Sequence, residues 1–249
     1  MNPNFKIPTE TVELPSKGLL YSKDSPLASG TIEMKYMTAK EEDILSNTNY
    51  MRKGIVLDKL MQSLIVTENF DYNELLIGDK NAIMIAARVL SYGKDYTVNY
   101  LGEDIVVDLS KFDNKEVDPE VFEDGKNEFE FKLPKTDNLV KFKLLTHKDQ
   151  KNIDSELAGL KKLNKDDSSA STTRLKYLIT GVNGTTEQKD IREFVDKYLL
   201  ASDARALRSY YAIIQPDVNM KFTYTDEEGG EEEVDLPIGL DFFWPDTRG

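Results

Sequence analysis

The chain has 249 residues, of which 39% are hydrophobic and 31% are charged, and its formal net charge is -13. This length suits one large domain or two smaller ones, each with a buried core. The acidic balance argues against non-specific binding to nucleic acid or to an anionic membrane, because both rely on a cationic protein surface. A neutral or basic protein partner fits the charge better.

Several residue types and segments that mark particular functions are missing. There is no cysteine, which excludes disulfides and thiolate metal sites, and the single His147 cannot form a histidine metal cluster. The first ten residues lack an apolar signal segment, and no run of about 18 apolar residues occurs anywhere. We therefore expect no cofactor, no metal, no secretion signal and no membrane span.

The N-terminal region, residues 1–37, is predicted to be an extended arm. Four prolines separate short apolar pieces in its first 33 residues, and prolines at that density interrupt regular structure. The arm carries Leu14, Leu19, Leu20 and Tyr21, which is more apolar than a disordered tail should be. Two interpretations stay open: the arm lies on its own core, or on a neighbouring subunit.

Helices are predicted to follow the arm. Thr38 and Glu41 have the spacing of a capping box, which predicts a short helix to about Leu45, and residues 55–65 carry a broad apolar face. The stretch 75–93 is apolar on nearly every side, with Asp79 as the predicted N-cap and Gly93 as a left-handed C-cap. We interpret it as the central core helix and assign Asp79 and Gly93 structural roles.

The same helix has one polar strip that could instead face a partner. The strip contains Lys80, Asn81, Arg88 and Ser91. A core role for the helix is favoured, with a neighbouring polar network as the simplest explanation of the strip.

Alternating patterns predict antiparallel hairpins in three places. The first spans residues 97–109, the second joins 128–133 to 139–145, and the third joins 220–224 to 233–236. The first and third hairpins are similar in sequence, so we expect them to pair in space. The predicted fold class is therefore α+β, with a helical core and antiparallel β-hairpins.

The second half of the chain is predicted to be mainly helical. A helix over 148–163 is followed by the polar segment 164–173, a loop or an interdomain linker. Residues 175–182 fit either a strand or a helix, and two helices starting near 185 and 202 form a hairpin that Pro216 ends. The predicted organisation has five parts: the arm 1–37, a helical core with its sheet 38–163, the polar segment 164–173, a helical hairpin with a β-hairpin 174–236, and a tail 237–249.

The tail holds the densest aromatic cluster, made of Phe242, Phe243 and Trp244. Three bulky aromatic side chains near a terminus either dock back onto the helical layer or anchor a partner. The sequence does not favour one of these over the other.

Four short segments, taken in order, resemble one family. They are LPSKGLLY at 14–21, YMTAKEEDIL at 36–45, the helix from IGDKNA at 77–82 to Tyr92 and Gly93, and FFWPD at 242–246. In these segments the chain resembles the baseplate hub and hub-assembly proteins of T-even-type contractile-tailed bacteriophages.

The resemblance includes one departure. It implies Cys-x-x-Cys pairs at two hairpin turns, where four thiolates would hold a structural zinc. Here the corresponding turns, residues 101–104 and 226–230, contain no cysteine. The two hairpins thus resemble metal-free zinc-knuckle positions, and we expect contact among Val98, Tyr100, Phe222 and Tyr224 to replace the metal.

The resemblance implies a non-enzymatic late protein of tail morphogenesis. Such a protein binds other phage tail proteins in the host cytoplasm and helps to build, or becomes part of, the central hub of the virion baseplate, where it could form an oligomer. The sequence contains no Walker loop, dinucleotide fingerprint, G-x-S-x-G elbow or H-E-x-x-H helix, so we assign no catalytic, cofactor-binding or metal residues. The alternative is a tail-associated cell-wall glycan hydrolase that uses a carboxylate pair. The candidate partner-binding residues are Leu14, Lys17, Leu19, Leu20, Tyr21, Phe242, Phe243 and Trp244.

Overall fold

The protein is a mixed α/β structure, which confirms the predicted α+β class with a helical core and antiparallel hairpins. The computed structural model describes residues 6–163, 169–226 and 229–244. The helices in these ranges are α1 Ala39–Leu45, α2 Thr48–Arg52, α3 Val56–Leu64, α4 Ile77–Tyr92, α5 His147–Leu163, α6 Ala170–Leu178, α7 Gln188–Lys197 and α8 Ala201–Ile214. The strands are β1 Thr9–Glu13, β2 Thr31–Lys35, β3 Asp95–Tyr100, β4 Glu103–Asp108, β5 Phe129–Lys132, β6 Leu139–Phe142, β7 Ile179–Val182, β8 Lys221–Thr225 and β9 Glu231–Asp235.

The strands form small antiparallel sheets around the helices. β1 pairs with β2, β3 with β4, and β8 with β9, while β5, β6 and β7 form a three-stranded sheet in that order. Residues from both halves of the chain contribute to one hydrophobic core. Within the described ranges, no helix is long and apolar enough to cross a membrane.

The N-terminal region is not an extended arm. β1 and β2 form a hairpin within it, and Leu14, Leu20 and Leu27 between these strands are buried in the core of the same chain. On the outer side of β2, the Val66 N–H donates to the Glu33 carbonyl at 2.8 Å. Of the two interpretations of the arm, packing on its own core is therefore the one observed.

Helix α4 lies in the core as predicted, but it begins two residues before Asp79. Leu76 is the N-cap, so Asp79 occupies the third helical position and the prediction that it caps the helix is wrong. Gly93 ends the helix, and its N–H donates to the Val89 carbonyl at 2.9 Å. Its φ is +84° as glycine permits, although its ψ of 176° is extended and not left-handed helical.

The first and third hairpins meet through aromatic rings, as predicted. The Tyr100 ring packs edge-on against Phe222 and Tyr224, at centroid distances of 6.1 and 5.1 Å. Val98 is buried in the same core. Hydrophobic contact thus joins two hairpins whose turns carry no cysteine.

The second half of the chain resolves two open interpretations. Residues 175–182 are helix as far as Leu178 and strand from Ile179 onward. Of the predicted polar segment, residues 164–168 lie outside the described ranges, whereas 170–173 are the first turn of α6 and not a loop. The two helices predicted for the helical hairpin are present as α7 and α8.

The start of α4 touches the backbone of a segment far along the chain. A Cβ built on Gly78 would lie 1.9 Å from the Pro216 carbonyl oxygen, so only glycine fits there. The Asn81 side-chain amide donates to Asp217 Oδ1 at 2.9 Å one turn later. These contacts fix the first turn of α4 against the segment that follows α8.

Replacing Gly78 with alanine should destabilise the fold by about 2 kcal/mol or more, since one added methyl group forces the two backbones apart. Chemical denaturation monitored by circular dichroism would measure the loss. Gly159→Ala in α5 is the matched control, because a Cβ at Gly159 meets nothing within 4 Å. That control should stabilise the protein by about 0.5–1 kcal/mol, and an equal response of both variants would contradict the close contact at Gly78.

Candidate partner-binding surface

The N-terminal candidate residues lie on a tight turn after β1. The Leu19 N–H donates to the Ser16 carbonyl at 3.1 Å, and the two central residues have positive φ, +51° for Lys17 and +78° for Gly18. Positive φ at both central positions is the requirement of a type I′ turn, in which asparagine and glycine are preferred. Lysine adopts this conformation at a cost in free energy, so the surrounding structure must hold it there.

The Asp79 side chain holds this turn in place through hydrogen bonds. Its carboxylate accepts hydrogen bonds from the Ser16 N–H at 2.9 Å, the Ser16 hydroxyl at 2.7 Å and the Tyr21 hydroxyl at 2.6 Å. The Tyr21 oxygen in turn accepts from the Leu76 N–H at 3.0 Å. One buried carboxylate thus joins the turn to the start of α4.

Burial shifts the pKa values of Asp79 and Tyr21 in this network. Burial raises the pKa of Asp79 above its ordinary value, although the hydrogen bonds from Tyr21 and Ser16 oppose that effect. Burial, and then the neighbouring Asp79 charge, raise the pKa of the Tyr21 hydroxyl, which therefore stays a donor. Because the folded-state pKa of Asp79 is raised, its contribution to stability increases as the pH falls through that value.

The turn also packs tightly on its other side. A Cβ on Gly18 would lie 2.5 Å from the Ala28 carbonyl oxygen, and a Cβ on Gly30 would lie 2.8 Å from the Lys17 carbonyl oxygen. The backbone of the turn therefore has little freedom to relax. The strained residue is held rigidly in place.

The structure divides the predicted N-terminal contact residues into two groups. Leu14, Leu20 and Tyr21 are buried in the core of the chain, so the prediction that they contact a partner is wrong for the folded monomer. Lys17 is exposed and Leu19 is half-buried at the surface. The apolar residues of the segment hold the turn in place, and the turn itself is the accessible part.

Lys17 and Leu19 line a groove of about 590 Å³ against the loop 114–119. The other apolar side chains that line it belong to Pro15, Val117, Pro119 and Phe122, and its polar lining comes from Ser16, Asn114, Lys115, Glu116 and Asp118. The loop is fixed at its base, because the Lys115 N–H donates to the Asp217 carbonyl at 2.8 Å. An apolar groove with an ammonium group at its edge can receive an extended protein segment.

The C-terminal aromatic cluster is also divided. Phe242 and Phe243 are fully buried, with the Phe242 ring edge-on to Tyr96 at 4.9 Å and to Phe243 at 5.2 Å. They dock onto their own chain, so their assignment as partner contacts is wrong. Trp244 follows them and is 41% exposed, which leaves it as the accessible aromatic side chain of the three.

The side chains of the polar strip of α4 make their contacts inside the protein. Besides the bond from Asn81 to Asp217, the Lys80 ammonium donates to Asp58 at 2.9 Å and the Ser91 hydroxyl to the Ala87 carbonyl at 2.6 Å. The Arg88 guanidinium donates to the Gly93 carbonyl at 3.3 Å. A partner is not needed to explain this strip.

A buried polar cluster joins α3, α4 and α5. Asp58 Oδ2 lies 3.1 Å from His147 Nε2, and the Lys80 Nζ lies 3.1 Å from His147 Nδ1. The Tyr72 ring packs edge-on against the imidazole at 4.9 Å. Sequence reasoning missed this cluster, because its members are far apart in the chain and form no local motif.

The hydrogen bonds of this cluster occupy both imidazole nitrogens. An ammonium group can only donate, so Nδ1 accepts from Lys80 and Nε2–H donates to Asp58. Burial opposes the charge on Asp58, but hydrogen bonds from His147 and Lys80 outweigh it and lower its pKa to about 2. The stability that Asp58 contributes is therefore present above its ordinary pKa of 3.8 and is lost as the pH falls toward 2.

Among the residues that the structure describes, no group of three or more His, Cys, Asp or Glu side chains is placed to hold a metal ion. No protein-family model, curated protein or solved structure matches this chain.

Asp79→Ala should destabilise the protein by about 3 kcal/mol or more, because it leaves three buried donors without an acceptor. Asp190→Ala is the control: Asp190 lies at the same helical position in α7, but it is exposed. Its loss should cost only about 0.5 kcal/mol, from the helix dipole. Urea denaturation of both variants measures the difference, and equal small losses would show that Asp79 acts only on its own helix.

Phe242→Ala should cost about 3–5 kcal/mol of folding stability, as expected when a fully buried aromatic ring leaves a cavity. Trp244→Ala should cost less than Phe242→Ala, about 1 kcal/mol, because that side chain is 41% exposed whereas Phe242 is fully buried. Thermal unfolding of the two variants checks this. A small effect of Phe242→Ala would return the buried pair to the list of partner contacts.

Proposed function

We propose that this chain is a non-enzymatic morphogenesis protein of a contractile phage tail. It binds other tail proteins in the host cytoplasm and helps to assemble the central baseplate hub, or forms part of it. The proposal begins from the resemblance in the four short segments described above. The structure contributes the way in which one of those segments, residues 14–21, is built.

The observation that carries the proposal is the rigid display of Lys17. A lysine with positive φ is unfavourable, yet Asp79 and the close contacts of Gly18 and Gly30 hold it in that conformation. A turn that served only to reverse the chain would be more stable with asparagine at this position. Lysine is therefore explained better by a contact outside the chain than by folding.

The surroundings of Lys17 suit recognition of a protein segment. The groove beside it is apolar in part, and an ammonium at its edge can pair with a carboxylate of an incoming chain. In the cluster around His147 the imidazole is only 3% exposed and both ring nitrogens contact neighbouring side chains, so its access to a substrate is poor. Both features support binding over catalysis.

Mass spectrometry of purified particles and of infected lysate tests where the protein acts. A fixed copy number in particles identifies a hub subunit, and absence from particles combined with hub proteins bound in the lysate identifies an assembly factor. A zymogram on cell-wall glycan tests the alternative class. A clear band that one Asp or Glu substitution abolishes would overturn the non-enzymatic proposal.

Lys17→Asn should weaken binding to the hub proteins of the same phage by about tenfold or more, which is about 1.4 kcal/mol. The fold should be as stable as before or slightly more stable, because asparagine tolerates positive φ. Isothermal titration calorimetry against each purified hub protein would measure the change. Lys40→Asn, on the exposed face of α1, is the control and should leave affinity unchanged.

A further inference from the structure

A second exposed turn combines conformational strain with an exposed apolar side chain. Leu101 and Gly102 connect β3 to β4, with φ of +51° and +91°, so this turn also has the type I′ requirement at both central positions. In the described ranges, five non-glycine residues have positive φ: Lys17, Asn69, Leu101, Asp137 and Asn183. Leu101 is the apolar one among them.

Leu101 is also the most exposed large apolar side chain in the described ranges, at 75%. Val106, on the same hairpin, is next at 66%. Leucine at this position is therefore unfavourable for two separate reasons: its backbone conformation suits asparagine or glycine, and its side chain is in water. Neither the backbone conformation of Leu101 nor the exposure of its side chain stabilises the folded monomer.

The surroundings of Leu101 are acidic. Glu103 and Asp104 follow it on β4, and both are exposed. The neighbouring hairpin brings Glu232 to the same end, where the Tyr100 hydroxyl donates to its carboxylate at 3.4 Å. A hydrophobic side chain near several carboxylates is complementary to an apolar pocket edged by lysine or arginine.

We propose that Leu101 is the anchor of a second partner-binding surface, formed by the end of the β3–β4 hairpin and the adjacent Glu232 of β9. The occupant is a hub protein that has an apolar pocket with basic residues at its rim. A second copy of this chain fits poorly, because each copy carries a net charge of -13. The inference rests on the proposed function for the class of partner.

Two details show how the hairpin supports this role. The Asn99 side-chain amide donates to Asp104 Oδ1 at 2.7 Å across the strands, which stiffens the hairpin below the turn. The packing of Tyr100 against Phe222 and Tyr224 holds the two hairpins side by side. Leu101 is thus presented on a supported structure, and little order is lost when a partner binds.

The test is Leu101→Asn, which removes the apolar side chain and installs the residue that the turn prefers. We expect its thermal unfolding temperature to equal or exceed that of the unchanged protein. Binding to the hub protein that carries the basic-rimmed pocket, measured against each purified hub protein in turn, should weaken about tenfold or more. A stable variant that loses affinity cannot be explained by misfolding.

Matched variants separate the apolar and charge contributions. Ile213→Gln removes an equally accessible apolar side chain from α8, which is 65% exposed, and should leave affinity unchanged. The double variant Glu103→Gln, Glu232→Gln should lower the association rate about tenfold at low salt and reduce its salt dependence.

The outcomes of this experiment are distinguishable. If the unchanged protein binds no hub protein, the proposed function fails and this inference fails with it. If it binds and Leu101→Asn binds equally well, this inference alone is overturned. Self-association that Leu101→Asn abolishes, measured by light scattering, would identify a second copy as the occupant and would also overturn it.

Discussion

The buried Asp79 carboxylate is the interaction on which the arrangement of the N-terminal half depends. Its three donors come from Ser16 and Tyr21, about sixty residues away in sequence, and no lysine or arginine in the described part of the chain forms an ion pair with it. The first turn of α4 supplies a favourable partial positive charge, and the hydroxyl and amide donors supply the rest. Burying this charge costs free energy, but its hydrogen bonds fix the backbone of the exposed turn beside it.

Buried acidic residues at the third helical position also occur in other helices. Glu41, Asp149 and Asp203 also occupy the third position of their helices and are buried, and each accepts hydrogen bonds from residues outside its helix. Glu41 and Asp149 accept from the nearby cap residue, and in addition Glu41 accepts from Lys35 and Ser63 and Asp149 accepts from Lys143. For Asp203 the donors are Lys135 and Thr136 of the β5–β6 turn, as distant in sequence as those of Asp79. An acidic residue at the start of a helix can thus accept from a local cap, from a residue distant in sequence, or from both.

The sequence was informative where local chemistry decides the structure. The capping box at Thr38, the hairpins and the core position of α4 follow from periodicity and turn residues, and all are present. It was less informative where tertiary contacts decide. An aspartate in a first helical turn predicts a cap, but the sequence does not show whether its hydrogen-bond donors are adjacent or sixty residues away. Apolar residues in a proline-rich segment predict burial, but not whether the surface that buries them belongs to the same chain or to a partner. For the same reason the burial of Phe242 and Phe243, and the cluster around His147, could be found only from the structure.

The contact between Gly78 and Pro216 has a consequence for the order of folding during synthesis. The ribosome makes α4 before it makes the backbone against which the first turn of α4 packs, and Asn81 binds the side chain of Asp217, 136 residues further along the chain. Contacts of such long sequence separation form slowly, because a large loop must close first. The central helix therefore completes its packing only after residue 217 has been made. A nascent chain stopped before residue 216 leaves the first turn of α4 without this contact, so chaperone binding and aggregation compete with folding at that stage.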